Sequence, residues 1–282
     1  MRVIQIFWKD FCLGAILLAI PFFSPYFSIG KDSSTLVTAT AAIFAIVVGF
    51  FIADTMSNYL RLQTLIAEED ASLISLADDA KRIDGKNFIN IHRAIDEYMI
   101  TQLDAGTLNH VLKTEKEFGQ IVAAIDTLRS GPADGDLFDH VLSMEENILS
   151  CRQEISLAAK KNLTPAHWAI LVILAALVAT TVLTVRDGSL LTNLVTGFII
   201  IAVQAVLVLL REMDGNYFLE NKLAFENPRE VFQAVSQPPY YPYFSSPRSH
   251  IPNESGIYRL GREPVAGNAG GYDTIDAAQA KT

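Results

Sequence analysis

The sequence predicts an all-α membrane protein in which two pairs of transmembrane helices flank a cytoplasmic helical bundle. Half of the 282 residues are hydrophobic and only 19% are charged, which is less than the quarter found in typical soluble domains. Four apolar runs are long enough to cross a bilayer, and a long segment with helical periodicity separates the second run from the third. The predicted domains are residues 1–56 (N-terminal helix pair), 57–164 (four-helix insert), 165–211 (C-terminal helix pair), 212–235 (juxtamembrane segment) and 236–282 (largely disordered tail).

The four apolar runs are the first evidence for this fold. A transmembrane helix needs about 20 residues, because each residue rises about 1.5 Å along an apolar layer about 30 Å thick. The runs are Phe11–Phe27, Leu36–Ala53, Ala166–Val185 and Leu190–Leu210. Only "RDGS" separates the last two, which favours a membrane hairpin over two buried core helices. The first run contains prolines and has a cleaved signal peptide as its alternative, but no small-residue cleavage site follows it.

The distribution of basic residues predicts the orientation. Of the 22 Lys and Arg residues, only Lys31 and Arg186 lie in the short loops within the two helix pairs. Cytoplasmic loops carry the excess of Lys and Arg in membrane proteins. Both termini and the middle segment are therefore predicted to be cytoplasmic.

The end of the middle segment carries a heptad pattern. Apolar residues alternate four and three positions apart, which is typical of a packed helical seam. The seam residues are Leu137, Val141, Met144, Ile148, Cys151, Ile155 and Ala158. Two readings stay open, a seam inside the bundle and a contact between chains. After the seam, Thr164 and Pro165 predict the N-cap and first turn of the third span.

The second span continues into the insert without a helix-breaking residue. The stretch "ATAAIFAIVVGFFIADTMSNYLRLQTLIAEED" contains no proline and a single glycine. One helix is therefore predicted from Leu36 to Ala80, passing from lipid into water. The acidic residues at its polar end, Glu68, Glu69 and Asp70, are interpreted as a solvated face.

Two faces of the second span are candidate functional surfaces. A stripe of small residues, which allows close helix packing in lipid, is formed by Ala41, Ala45, Gly49, Ala53 and Ser57. Bulky apolar residues cover other faces, namely Phe44, Val47, Val48, Phe51 and Ile52. The bulky face either lines an apolar constriction of a pore or faces lipid. Asp54 is interpreted first as an interfacial residue and second as a pore-mouth residue.

The sequence contains no motif that points to an enzyme. No HExxH, P-loop, GxSxG or helical GxGxxG pattern is present, and neither the five His nor the two Cys residues have metal-ligand spacing. No cofactor, metal or catalytic residue is therefore predicted. The net charge of −9 argues against nucleic acid as a partner.

Three segments resemble the bestrophin-like membrane family. They are "GFFIADTMSNYLRLQTLIAEEDASLISLADDA" at 49–80, "AIDEYM" at 94–99 and "CRQEISLAAKKNLTPAHW" at 151–168. The resemblance implies a homo-oligomer in a bacterial inner membrane that conducts small anions such as chloride through an apolar neck on the second span. The neck positions would be Phe44, Val47 and Phe51, or Val48 and Ile52 if the helix is rotated. The segment after the last span lacks the Arg-Pro-Phe signature of such proteins.

Two functional hypotheses follow. The first is an oligomeric channel with its neck on the second span and the lipid bilayer and small anions as partners. The second is a non-conducting membrane scaffold or sensor whose helical insert binds another protein and dimerises through the Leu137–Ala158 seam.

Overall fold

The computed structural model describes residues 16, 19–23, 33–83, 88–106, 110–129, 135–160, 163–215, 228–242, 256–262 and 271–276. The helices are α1 (Ser33–Ile83), α2 (Phe88–Ala105), α3 (His110–Lys113), α4 (Glu115–Arg129), α5 (Gly135–Ala158), α6 (Pro165–Val185), α7 (Leu190–Asp214) and α8 (Pro228–Ala234). The strands are β1 (Tyr240–Tyr241), β2 (Ile257–Gly261) and β3 (Tyr272–Asp276). The chain divides into a membrane unit, Met1–Asn58 with Lys161–Gly215, and a bundle unit, Tyr59–Lys160 with Asn216–Thr282.

The membrane unit contains helices that are long and apolar enough to cross a bilayer. Among the described residues these are α1, α6 and α7, which carry the second, third and fourth predicted spans. Most of the first predicted span lies outside the described residues, and its described positions 16 and 19–23 are helical. The mostly helical prediction is confirmed, and helix α1 runs through the predicted lipid-to-water transition without a break.

Apolar side chains and a few buried polar contacts hold the membrane unit together. The core of this unit includes Phe44 and Val48 of α1, Leu171 and Val178 of α6, and Leu210 of α7. Within it, the hydroxyls of Thr40 and Thr181 lie 3.1 Å apart and share a hydrogen bond between α1 and α6. This pairing satisfies two polar groups that would otherwise be buried without a partner.

The ends of α6 and α7 are fixed by polar side chains. The Thr164 hydroxyl accepts the backbone N–H of His167 at 3.4 Å, so the predicted N-cap of α6 is confirmed. The buried Asp214 carboxylate at the end of α7 accepts the backbone N–H of Leu163 at 2.9 Å and the indole N–H of Trp168 at 3.4 Å. Asp214 therefore ties the C-terminus of α7 to the start of α6.

The bundle unit packs helices α1, α2, α4 and α5 around one apolar core. The spacing of apolar residues puts one stripe of each helix into this core. The fully buried members include Leu73 and Leu76 of α1, Ile95 and Tyr98 of α2, Ile121 and Ile125 of α4, and Val141 and Ile148 of α5. A second cluster contains Leu62, Leu65, Ile66 and Ile155.

The C-terminal region differs from the predicted disordered tail. Strands β1, β2 and β3 form a sheet in that order, with β1–β2 parallel and β2–β3 antiparallel. The buried Arg259 of β2 forms a two-pronged ion pair with Asp96 of α2, with both N–O distances 2.7 Å. The Tyr240 hydroxyl donates to Asp104 at 2.7 Å. For the described residues of this region the prediction is wrong, because a few specific contacts, rather than apolar periodicity, hold these short strands on the bundle.

We expect Arg259→Met to release the C-terminal sheet from the bundle. The substitution leaves the Asp96 carboxylate buried without its guanidinium, and breaking a buried ion pair in this way costs about 3–5 kcal/mol. Limited proteolysis should then cleave within residues 242–276 much faster than in the unchanged protein. The matched control is Arg262→Met, because Arg262 pairs with Asp273 on the exposed surface, where an ion pair contributes little to stability. Equal protection of the two variants from proteolysis would contradict this role of Arg259.

Candidate functional site

The bulky residues predicted to line a neck are mainly packed in the apolar core of the membrane unit. Phe44 is 7% exposed and Val48 is 4% exposed, and both belong to the core formed with α6 and α7. Val47, Phe51 and Ile52 are partly buried against the same core. The Phe51 ring also lies 5.1 Å from the His167 ring, measured between centroids. Phe44 and Val48 therefore have almost no surface left for a pore.

A different row of α1 residues is exposed. Residues four positions apart form a ridge on a helix surface, and every member of one such ridge in the apolar segment is exposed. The members of this α1 ridge are Ser34, Thr38, Ala42, Ile46, Phe50 and Asp54. Its bulky members are strongly exposed, Ile46 at 60% and Phe50 at 73%.

The α1 ridge is apolar in its middle and polar at both ends. Ser34 and Thr38 lie at one end, where the Thr38 hydroxyl donates to the Ser34 carbonyl at 3.0 Å. Asp54 lies at the other end. Twenty residues of helix separate Ser34 from Asp54, which corresponds to about 30 Å and matches the apolar thickness of a bilayer.

The small-residue stripe lies beside the α1 ridge and is mostly exposed. Ala45, Gly49 and Ala53 are exposed, and Ala41 is half-buried. A side-chain carbon added at Gly49 would meet nothing within 4 Å. Each stripe residue immediately precedes a ridge residue, so the stripe lies about 100° around the helix from the ridge. The close packing of this stripe against another helix stays a prediction.

The heptad seam of α5 lies inside the bundle unit. Val141, Ile148, Cys151, Ile155 and Ala158 are buried, while Leu137 and Met144 are half-buried. The structure thus uses the seam within one chain. A dimer through this seam, as in the scaffold hypothesis, would have to displace the chain's own helices.

A buried polar network in the bundle unit was missed by the sequence analysis. Glu69 of α1 is fully buried, although its acidic turn was interpreted as solvated, and the adjacent Asp70 is also buried. The Tyr98 hydroxyl donates to Glu69. Arg152 of α5 donates to the Tyr98 oxygen at 2.5 Å and to the Thr114 hydroxyl at 2.8 Å. Burial, assisted by the Glu69 charge, raises the pKa of Tyr98 well above its ordinary value, so the phenol keeps its donor proton.

Arg152 fixes the α3 region onto the bundle. Its second terminal nitrogen donates to the Val111 carbonyl at 3.0 Å, and its guanidinium lies 4.6 Å from the centroid of the Phe118 ring. His110 of α3 also lies 3.6 Å from Glu69. The network thus joins α1, α2, α3 and α5 through buried polar contacts, which is a structural arrangement.

Neither unit presents chemistry for a metal or a reactive thiol within the described residues. No group of three or more His, Cys, Asp or Glu side chains is arranged to hold a metal in that part of the chain. Burial raises the pKa of the Cys151 thiol to about 11. Because the thiolate is the reactive form, Cys151 is inert at neutral pH.

Comparison with known proteins confirms the resemblance seen in the sequence. A model of the Bestrophin-like domain family matches residues 33–216. A bacterial bestrophin homologue from Klebsiella pneumoniae has a similar structure, with a TM-score of 0.62 and 13% identity over 84% of this chain and 100% of that chain. A crystal structure described as a membrane protein gives a TM-score of 0.60 at 15% identity, covering 81% of this chain and 98% of its own. No curated protein matches the chain. At these identities the structural likeness shows a shared fold.

Proposed function

The chain belongs to the Bestrophin-like family, and on this premise we propose that it is an integral membrane protein forming a homo-oligomeric ion channel, with the α1 ridge lining the pore. The observation that carries the proposal is the exposure of the whole ridge from Ser34 to Asp54. Polar and charged groups are costly against lipid and are usually placed toward protein or water-filled cavities. A ridge with a bulky apolar middle and polar ends therefore suits an aqueous pore with a narrow neck.

In this proposal the neck is formed by Ile46 and Phe50. A pore-lining side chain must be free of its own chain, and Phe44 and Val48 are packed in the core. These two residues, with Val47, Phe51 and Ile52, then form the layer that supports the neck from behind. Rings of apolar side chains gate pores by excluding water from the narrow zone.

In this proposal the small-residue stripe supplies the contact between chains. Ala45, Gly49 and Ala53 lie beside Ile46 and Phe50, so a neighbouring α1 helix can approach there while Ile46 and Phe50 face the shared axis. Small residues favour such contacts in lipid because backbones can come close and gain van der Waals contact.

The orientation belongs to the same proposal. Only Lys31 and Arg186 of the 22 basic residues lie in the short loops within the helix pairs, which supports a bacterial inner-membrane protein with both termini and the bundle unit on the cytoplasmic side. A reporter domain fused near residue 110 should then be accessible from the cytoplasm only. Accessibility from outside the cell membrane would contradict this orientation.

The proposal predicts ion flux that depends on Phe50. Purified oligomers in salt-loaded liposomes should release chloride, potassium or both faster than empty liposomes, and Phe50→Ala should increase the rate several-fold because a shorter side chain widens the neck and lets water in. The matched control is Phe198→Ala, which removes another strongly exposed ring from α7 (Phe198 is 62% exposed) and leaves the ridge unchanged. Confirmed oligomers without flux would contradict the proposed function.

A further inference from the structure

The C-terminal region, which consists of α8 and strands β1–β3, packs on the bundle core. Val231 and Phe232 of α8 belong to the same buried apolar cluster as Leu73 of α1 and Ile95 of α2. The guanidinium of Arg259 in β2 lies 4.9 Å from the centroid of the Phe232 ring. The C-terminal region therefore forms an interface with α1 and α2 inside one chain.

Two carboxyl groups of the bundle receive hydrogen bonds from the C-terminal region, and a third receives none. Asp96 binds Arg259, and Asp104 accepts the Tyr240 hydroxyl. Asp70 of α1 is only 5% exposed, and neither of its oxygens has a hydrogen-bond partner among the described residues. A carboxylate buried in this way is costly, whereas the neutral acid is much less so.

The charges that act on Asp70 disfavour its ionised form. Glu69 precedes it on α1 and Glu230 lies on α8, and both are acidic. Burial, together with these two charges, raises the pKa of Asp70 well above its ordinary value. Asp70 lies in the part of α1 that belongs to the bundle unit. The protonated carboxyl is therefore the form that fits the docked C-terminal region.

The basic side chains of the C-terminal region and of α5 do not compensate Asp70. Arg259 is bound to Asp96, and Arg152 of α5 donates to the Tyr98 oxygen. Arg229 of α8 is exposed. A proton on Asp70 can take the place that a basic partner takes at Asp96.

The other titratable groups of α2 and α3 have different surroundings. The His92 ring donates to the Ala77 carbonyl at 3.1 Å, and His110 lies 3.6 Å from Glu69. The exposed charged residues of α2 include Arg93 and Glu97.

We propose that a proton on Asp70 holds the C-terminal region on the bundle, so that docking is a pH-dependent switch and a rise in pH releases α8 and the sheet. In the docked state Asp70 keeps its proton. In the undocked state water solvates the carboxyl, which then has the pKa of about 3.9 that an exposed aspartate shows, and the proton leaves to solvent. The docked state thus binds one proton more than the undocked state. Between these two pKa values the docking equilibrium constant falls about tenfold per pH unit as the pH rises.

Limited proteolysis of the full-length protein in detergent, from about pH 5 to about pH 9, tests this switch. Cleavage within residues 242–276 follows the undocked population when docking is fast relative to cleavage. After correction for the activity of the protease on an unfolded substrate at each pH, the cleavage rate of the unchanged protein should rise by up to about tenfold per pH unit. Asp70→Asn keeps the shape of the side chain but cannot ionise, so its cleavage rate should not change with pH. Asp70→Leu, which is apolar and needs no hydrogen bond, should give the same flat profile.

Asp78→Asn is the matched control. It makes the same substitution about two turns further along α1, where Asp78 is exposed, and it should keep the pH dependence of the unchanged protein. A cleavage rate that does not rise with pH in the unchanged protein, or one that rises as steeply in Asp70→Asn, would overturn the proposal. The switch does not depend on ion conduction, so either result leaves the proposed channel function untouched.

Discussion

Arg152→Met is expected to lower the free energy of unfolding of the bundle by about 3–5 kcal/mol, the range found when one partner of a buried charged network is removed. Met fills a similar volume but donates no hydrogen bond. The Thr114 hydroxyl and the Val111 carbonyl lose the donor described above. Tyr98 keeps its hydrogen bond to Glu69 but loses the guanidinium that donates to its oxygen.

The expected measurement is thermal unfolding of the protein in detergent, followed by circular dichroism. Arg152→Lys should unfold at an intermediate temperature, because a lysine keeps the charge but cannot reproduce the planar fork that reaches Tyr98, Thr114 and Val111 together. The matched control is Arg61→Met, which breaks the exposed pair of Arg61 with Glu154 at 2.7 Å and should cost about 0–1 kcal/mol. If Arg152→Met and Arg61→Met unfolded at the same temperature, the network would have no special role in stability.

Hydropathy was sufficient to predict the three long apolar helices α1, α6 and α7. The bounds of α6 and α7 follow the third and fourth apolar runs within a few residues, because lipid imposes a minimum length on any uncharged span. The cap at Thr164 was predictable because it depends on residues adjacent in sequence. The continuity of α1 followed from the absence of proline.

The buried network could not be predicted from the same patterns. The three consecutive acidic residues Glu68, Glu69 and Asp70 were predicted to be solvated, since carboxylates are rarely buried without a partner. Their partners, Tyr98 and Arg152, lie on other helices and are distant in sequence, so no local signal links them to Glu69. The one available hint was an arginine, Arg152, inside an otherwise apolar seam beside Cys151.

The exposed face of α1 also could not be predicted from the sequence pattern of that helix alone. All faces of its apolar segment are hydrophobic, so composition does not show which face meets α6 and α7. The sequence analysis chose the bulky residues around Phe44 and Val48 for the neck, whereas the structure packs them in the core. Only the contacts made by the other helices identify Ile46 and Phe50 as exposed.

Cysteine accessibility on α1 is the most direct measurement of the central claim that the α1 ridge lines a water-filled pore. The matched pair is Ile46→Cys and Val48→Cys, because both replace a β-branched residue and lie two positions apart on the same helix, one exposed and one in the core. Cys12 is replaced by Ser in the background, and the buried Cys151 stays unreactive because its thiol pKa is raised to about 11.

A charged, water-soluble thiosulfonate reagent should modify Ile46→Cys and Phe50→Cys and block flux nearly completely, because a bulky charged adduct fills the neck. Val48→Cys should remain unmodified and conducting. In the proposed channel the exposed Phe198 of α7 faces lipid, so Phe198→Cys serves as the control that should stay unmodified, since a thiol in lipid does not form the reactive thiolate. Modification and block at Val48→Cys, with Ile46→Cys and Phe50→Cys unreactive, would contradict the account.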